Sequence, residues 1–158
     1  MAFRESCVKR RFADLRGLLG GARTIALSHV LHLAKDDRLI AGAGGVGRGA
    51  GLVSSLGHHL TQDLGLKSVA IWMIYGAGED SQPFPGLPRR THYPNDTLNT
   101  QLAGLTTPIL FRVADLPGEL SHQSVSIGHI YDAVFRTSLD SEVDAIIYFP
   151  SVSPMRKA

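Results

Sequence analysis

The stretch "RLIAGAGGVGRGAGLVSSLGHHL", residues 38–60, decides the predicted fold. Gly42, Gly44 and Gly47 stand at G-x-G-x-x-G spacing, between a short apolar run and a helix-like one. In a nucleotide-binding βαβ unit, these glycines allow a tight turn, a close approach to pyrophosphate and close packing of helix on strand. The N–H groups at the helix N-terminus add an attraction for phosphate. The stretch therefore predicts either a dinucleotide cradle or a glycine-rich turn that binds nothing.

The segments around this stretch alternate between strand-like and helix-like patterns. A helix is predicted over 48–64, because leucines recur every fourth residue from Leu52 to Leu64, and Gly65 supplies its C-terminal cap. A short helix is predicted over 96–103, and a longer one from Ser124 or Ser126 through Phe135. Apolar runs predict four buried strands, at 38–42, 67–75, 108–115 and 143–149.

This alternation predicts an α/β fold with a doubly wound, mostly parallel sheet of about four strands. Residues 38–158 form this predicted nucleotide-binding domain, and residues 1–37 form an N-terminal helical extension. Within the extension, an amphipathic helix is predicted over 4–19, ended by Gly20 and Gly21, and 24–35 suits a buried helix slightly better than a strand.

Composition excludes several classes of protein. The chain has 158 residues, of which 44% are hydrophobic and 19% charged, so it is globular rather than disordered. Its net charge of +2 argues against nucleic acid as a partner, and no apolar run is long enough to span a membrane. Cys7 is the only cysteine, which favours a reducing, cytoplasmic compartment. The Arg-rich N-terminus leaves organelle targeting open.

The glycine stretch supplies the predicted cofactor-binding residues, which are Gly42, Gly44, Gly45, Gly47 and Arg48. The predicted cofactor is NADP or NAD. An acid for the ribose hydroxyls is expected at the end of the second strand, but Met73 stands there. In the following loop, Glu79 and Asp80 can fold back to replace that acid. Alternatively, Arg89 and Arg90 can receive a 2′-phosphate, which favours NADP.

Residues 38–154 resemble the N-terminal half of a short-chain dehydrogenase/reductase. The resemblance rests on "LIAGAGGVGRGAGLVSSLGHHLTQDLGLKSVAIW", on "FRVADLPGE" and on "IGHIYDAVFRTSLDSEVDAIIYFPSVSP". It implies a Rossmann fold, NAD(P) binding and a contact between Asp115 and adenine. The chain has Tyr148-Phe149-Pro150-Ser151 where that family usually has Asn-Asn-Ala-Gly.

The family's catalytic Tyr-x-x-x-Lys pair is absent from the sequence, so catalytic residues stay unknown and oxidoreductase activity stays uncertain. Two functions follow. In the first, the chain is an NAD(P)-binding domain related to these dehydrogenases. In the second, it is a non-catalytic scaffold that acts as an assembly or interaction subunit. The open edge of a four-stranded sheet favours a homo-oligomer or a partner subunit in either case.

Histidines are the remaining candidates for chemistry. His29 and His32 are three residues apart and could share a helix face as metal ligands, although helix packing is the simpler interpretation. His58 and His59 are adjacent and point to different sides of their helix. His122 or His129, on either side of the last predicted helix, could act as an acid or a base.

Overall fold

The computed structural model describes residues 2–20, 22–28, 30–35, 55–78, 97–122, 125–126, 134–135 and 139–153. The described residues up to Ser68 belong to one compact unit, and those from Val69 onward belong to a second. The predicted boundary between residues 37 and 38 lies outside the described residues and stays a prediction.

The first unit begins with helix α1, Ala2–Leu18, as the apolar spacing predicts. The helix ends at the expected glycines, because Gly20 adopts the left-handed conformation with a φ of 60°. The Leu19 N–H still donates to the Leu15 carbonyl, at 2.9 Å, in the last turn. Val8, Leu15 and Leu19 all remain partly exposed, so the apolar face of α1 is incompletely covered.

The buried helix predicted over 24–35 is wrong for most of its length. Only α2, Val30–Leu33, is helical, and residues 22–28 have no regular secondary structure. Ile25 and Leu27 are 89% and 85% exposed, so the segment is not buried either. Thr24 and Ile25 lie shortly after Gly20 and Gly21 in the sequence. Glycine and β-branched residues are both weak helix formers.

A helical segment begins at Leu56, after its N-cap residue Ser55. Helix α3 spans Leu56–His58, and a π-helical turn continues it over His59–Asp63. Gly65 has a φ of 57°, so the predicted C-terminal glycine cap is confirmed. The predicted part over 48–54 lies outside the described residues.

The second unit contains a three-stranded mixed sheet. Strand β1, Ile71–Gly78, pairs in parallel with β5, Ala145–Val152, and β2, Ile109–Arg112, pairs with the other edge of β5 in antiparallel orientation. The order is therefore β1-β5-β2. The α/β class and three of the predicted strands are confirmed, whereas the predicted strand at 38–42 lies outside the described residues.

The mostly parallel, doubly wound arrangement is corrected by the direction of β2. Between β2 and β5 the described chain forms a 3₁₀ turn over Val113–Asp115 and two short helices, α5 over Gly118–Ser121 and α6 over Leu139–Glu142. A parallel crossover usually carries one long helix. Within the described residues this connection holds only short helices, and with β2 antiparallel to β5 the sheet is open and mixed.

The long helix predicted from Ser124 or Ser126 through Phe135 is also wrong. Strands β3, Val125–Ser126, and β4, Val134–Phe135, pair antiparallel, with Val125 opposite Phe135 and Ser126 opposite Val134. Residues paired in this way lie side by side, so they cannot be the two ends of one helix. The short helix predicted over 96–103 is confirmed as α4, Leu98–Gln101.

The core of the second unit lies on one face of the sheet. Successive strand residues point to opposite faces, which buries Trp72 and Ile74 on β1 beside Ile146 and Tyr148 on β5. The opposite face carries Ile71 and Met73, which are 51% and 64% exposed. Parallel strands are usually covered on both faces, so this face is unusually open.

Tyr148 and Gly76 form a tight contact in this core. A Cβ on Gly76 would overlap the Tyr148 Oη atom. Burial raises the pKa of the Tyr148 hydroxyl, and among the described residues this hydroxyl has no hydrogen-bond partner. The contact therefore combines close packing with an unsatisfied polar atom.

We predict that Gly76→Ala and Tyr148→Phe have non-additive effects on stability. Gly76→Ala should lower the free energy of unfolding by about 1–3 kcal/mol through overpacking. Tyr148→Phe should raise it by about 1 kcal/mol, because it removes a buried, unsatisfied hydroxyl. In the Tyr148→Phe background Gly76→Ala should cost less. Urea denaturation of the four proteins measures this, and equal costs in both backgrounds would contradict the assigned contact.

Candidate functional site

A cavity of about 290 Å³ lies in the first unit. Helices α1, α2 and α3 and the irregular segment 22–28 all contribute to its wall. The lining residues are Val8, Ala26, Leu27, Ser28, His32, Leu33 and Leu56. The volume is at the small end of ligand pockets, so it fits a compact group rather than a whole dinucleotide.

Among the described residues that line the cavity, His32 and Ser28 have polar side chains. His32 is half-buried at the cavity wall, and Ser28 is exposed at its rim. The other described lining residues are aliphatic. An imidazole can both accept and donate a proton, so His32 is the described lining side chain best suited to chemistry in this cavity.

The residues that follow α2 and those that begin α3 are in close contact near His32. The Ser55 side chain is fully buried, and its Oγ donates to the Ala34 carbonyl, at 2.5 Å. The same Oγ accepts a hydrogen bond from the His58 backbone N–H, at 3.0 Å, and so caps α3. A Cβ on Gly57 would overlap the Leu33 and Ala34 carbonyl oxygens, so the contact requires glycine.

A second group of polar side chains lies on the π-helical turn. His59 Nδ1 is 2.7 Å from Asp63 Oδ2, and His58 Nε2 is 3.9 Å from Asp63 Oδ1. The hydrogen bond from His59 lowers the pKa of Asp63, and the charges of His59, His58 and Lys9 act in the same direction. Asp63 therefore stays ionised and holds His59 in one orientation.

We predict that Asp63 contributes to acid stability. The pKa of Asp63 in the folded protein lies below its ordinary value of 3.8. The stabilisation from ionised Asp63 is therefore fully present above pH 3.8, and it is lost as the pH falls through the pKa of the folded state. When the pH is lowered from about 5 to about 3, the melting temperature of Asp63→Asn should fall less than that of the wild type. Asp14→Asn, which removes an exposed carboxylate from α1, is the control. If the melting temperature of Asp63→Asn depended on pH as strongly as that of the wild type, Asp63 would not contribute to acid stability.

The residues predicted to bind a cofactor are mostly outside the described part of the chain. This holds for Gly42, Gly44, Gly45, Gly47 and Arg48, so their predicted role is not tested, and neither is the choice between NADP and NAD. Asp115 is described, in the 3₁₀ turn after β2. Because β2 is antiparallel to β5, Asp115 lies at the edge of the sheet where β1 and β5 begin.

Asp115 is engaged in an exposed ion pair. Arg112 donates to it twice, from Nε at 2.8 Å and from Nη2 at 2.7 Å. Both hydrogen bonds favour the carboxylate, so Arg112 lowers the pKa of Asp115. Its contact with adenine stays a prediction from the resemblance.

The other sequence candidates are only partly placed by the structure. Met73 is exposed on β1, and His122 is exposed after α5. Within the described ranges, no group of three or more His, Cys, Asp or Glu side chains could hold a metal ion. The remaining candidates lie outside the described residues: His29, Glu79, Asp80, Arg89, Arg90 and His129.

Sequence reasoning missed two parts of this site. The four-residue spacing of His59 and Asp63 on a helix was a readable signal, because such residues are neighbours on one face. No local pattern marked the link between Ser55 and Ala34, which are 21 residues apart.

Comparison with known proteins identifies the fold alone. No protein-family model and no curated protein matches the chain. A succinoglycan biosynthesis protein of known structure is similar to it, with a TM-score of 0.68 and 18% identity, over 96% of this chain and 38% of the other. A histidine-to-asparagine mutant of an erythromycin esterase, in its open conformation, gives a TM-score of 0.58 and 18% identity, over 95% and 37%. The chain thus spans less than two fifths of the length of either protein.

These likenesses correct the predicted family. The fold is the one shared with the succinoglycan biosynthesis protein and the esterase, so the resemblance to short-chain dehydrogenases is wrong. The NAD(P)-binding function and the oxidoreductase and Rossmann assignments derived from that resemblance are overturned with it. The resemblance rested on motifs in three sequence stretches, and such motifs do not determine how distant strands pair.

The described helices are also informative about the predicted lack of a membrane span. None of them combines the length and the apolar character that crossing a bilayer requires.

Proposed function

We propose that the chain carries the active site of a hydrolase acting on carboxylic esters, in the cavity of the first unit. The observation that carries the proposal is His32, half-buried at the wall of a cavity whose other described lining residues, apart from Ser28, are aliphatic. The likeness to an erythromycin esterase supports ester hydrolysis as the reaction.

In this reaction His32 acts as a general base. Its neutral imidazole takes a proton from water while the water oxygen bonds to the ester carbonyl carbon. The tetrahedral intermediate then loses the alcohol, which takes the proton back from the imidazolium, and a carboxylic acid remains. The Ser28 hydroxyl, on the same cavity wall, is suited to donate a hydrogen bond to the carbonyl oxygen.

The cavity also selects the kind of ester. Its described lining residues include no Asp, Glu, Lys or Arg, so they offer no partner charge to an ionised acyl or alkyl group. Its volume of about 290 Å³ suits a short, neutral aliphatic group. We therefore choose p-nitrophenyl butyrate as the principal probe and p-nitrophenyl succinate, which carries a free carboxylate, as its charged counterpart.

We predict that the purified chain hydrolyses p-nitrophenyl butyrate and that His32→Gln lowers kcat/KM by about 10²-fold or more. The succinate ester should be hydrolysed more slowly. His122→Gln, which changes an exposed histidine of the second unit, should keep wild-type activity. Hydrolysis equal to the buffer rate, or equal activity of His32→Gln and wild type, would refute the proposal.

A second proposal concerns self-association. Ile71 and Met73 on β1 and Leu110 on β2 lie on the open face of the sheet, and Leu110 is 64% exposed. Among the described strand residues of this face, Arg112 is charged, and its ion pair with Asp115 neutralises that charge. An uncharged apolar face is self-complementary, because a two-fold contact places no like charges together. We propose that a second copy of the chain covers it.

We predict that replacing Met73 and Leu110 together by lysine shifts the chain towards a monomer, since each copy would then present two cations to the other. Sedimentation equilibrium at micromolar concentration measures the mass. Leu18→Lys is the matched control, because Leu18 is an exposed leucine of the first unit. A wild-type monomer, or a dimer that survives the double substitution, would contradict self-association through this face.

A further inference from the structure

Ser55 has the most connected side chain next to the cavity. Its hydroxyl is fully buried, donates to the Ala34 carbonyl and accepts from the His58 N–H. Ala34 lies two residues after His32, and His58 belongs to α3. One hydroxyl group therefore joins the turn that carries His32 to the first turn of α3.

Gly57 makes this junction possible from the other side. Its lack of a side chain lets α3 approach the Leu33 and Ala34 carbonyl groups directly. Leu33 and Leu56, one from each side of the junction, both line the cavity. The position of His32 at the cavity wall therefore depends on the distance between α2 and α3, and Ser55 fixes that distance by hydrogen bonds.

We propose that Ser55 is a positioning residue for His32. It does not touch the cavity, but its hydroxyl holds the His32 turn where the imidazole faces a bound ester. This inference rests on the proposed hydrolase function. Loss of the hydroxyl leaves the buried Ala34 carbonyl without this donor and α3 without its cap, so α2 is free to shift.

The expected kinetic effect is mainly on turnover. A displacement of about 1 Å at a reacting group can lower a rate by about 10²-fold, so Ser55→Ala should reduce kcat by about 10–100-fold per folded molecule. KM should change less, because the aliphatic lining of the cavity is retained. Ser55→Thr keeps a hydroxyl and should recover most of kcat. Loss of fold alone would reduce the active fraction and leave kcat per folded molecule unchanged.

The test measures p-nitrophenyl butyrate hydrolysis by the wild type and by three variants, Ser55→Ala, Ser55→Thr and Ser121→Ala. Circular dichroism gives the folded fraction of each at the assay temperature. Ser121→Ala is the matched control, because it removes a serine hydroxyl that donates to the Gly118 carbonyl in the second unit. We expect wild-type kinetics for this control. Wild-type kcat in folded Ser55→Ala, or no recovery in Ser55→Thr, would overturn the positioning role.

A second readout separates this inference from the proposed function. The imidazole Cε1–H resonance of His32, assigned by its loss in His32→Gln, should shift or broaden in Ser55→Ala and stay in place in Ser121→Ala. If the His32 resonance moves in Ser55→Ala but the wild type has no esterase activity, the proposed hydrolase function is refuted. The structural link between Ser55 and His32 is then still supported. Activity that depends on His32, with an unmoved resonance and unchanged kcat in Ser55→Ala, refutes the positioning role alone.

Discussion

The parallel pairing of β1 with β5 is the constraint on which the second unit depends. The link begins just before the strands, where the Ala70 N–H donates to Asp144 Oδ2, at 2.6 Å, and the Asp144 N–H donates to the Ala70 carbonyl, at 2.9 Å. These bonds set Ile71 opposite Ala145. A shift of β1 by one residue would move Trp72 to the open face while Tyr148 stayed buried, because side chains alternate along a strand. The buried core of this unit therefore follows from the register.

The same pairing explains how much of the fold the sequence could predict. Three strands were found because β-branched and apolar residues cluster in them, as in Ile71–Gly78 and Ala145–Val152. Strand direction was not predictable from clustering. The antiparallel direction of β2 is set by its pairing with β5, which lies far along the chain, and the apolar residues of β2 itself do not encode that direction. The spacing of apolar residues near Val134 suited a helix, yet pairing across the β3–β4 ladder prevailed over local periodicity.

The candidate site was less predictable than the fold, for a related reason. Histidines could be identified from the sequence, but their surroundings depend on contacts between segments distant in sequence. His32 acquires its aliphatic neighbours from α1 and α3, and Ser55 finds its acceptor 21 residues earlier. The glycine spacing was visible in the sequence, but the glycines lie outside the described residues and their cofactor-binding role stays a prediction. The spacing alone could not identify a cofactor, because this motif also occurs where no phosphate binds.

Two glycines of this chain perform the same steric task with different energetic results. Gly57 lets a backbone approach carbonyl groups beside Ser55, whose hydroxyl has both a donor and an acceptor partner. Gly76 lets a strand approach Tyr148, whose hydroxyl has no partner among the described residues. A buried hydroxyl stabilises a junction when it is hydrogen-bonded and weakens it otherwise. Close packing alone therefore does not mark a functional position. The satisfied hydroxyl beside His32 distinguishes the first junction, which places a titratable side chain, from the second, which only fills the core.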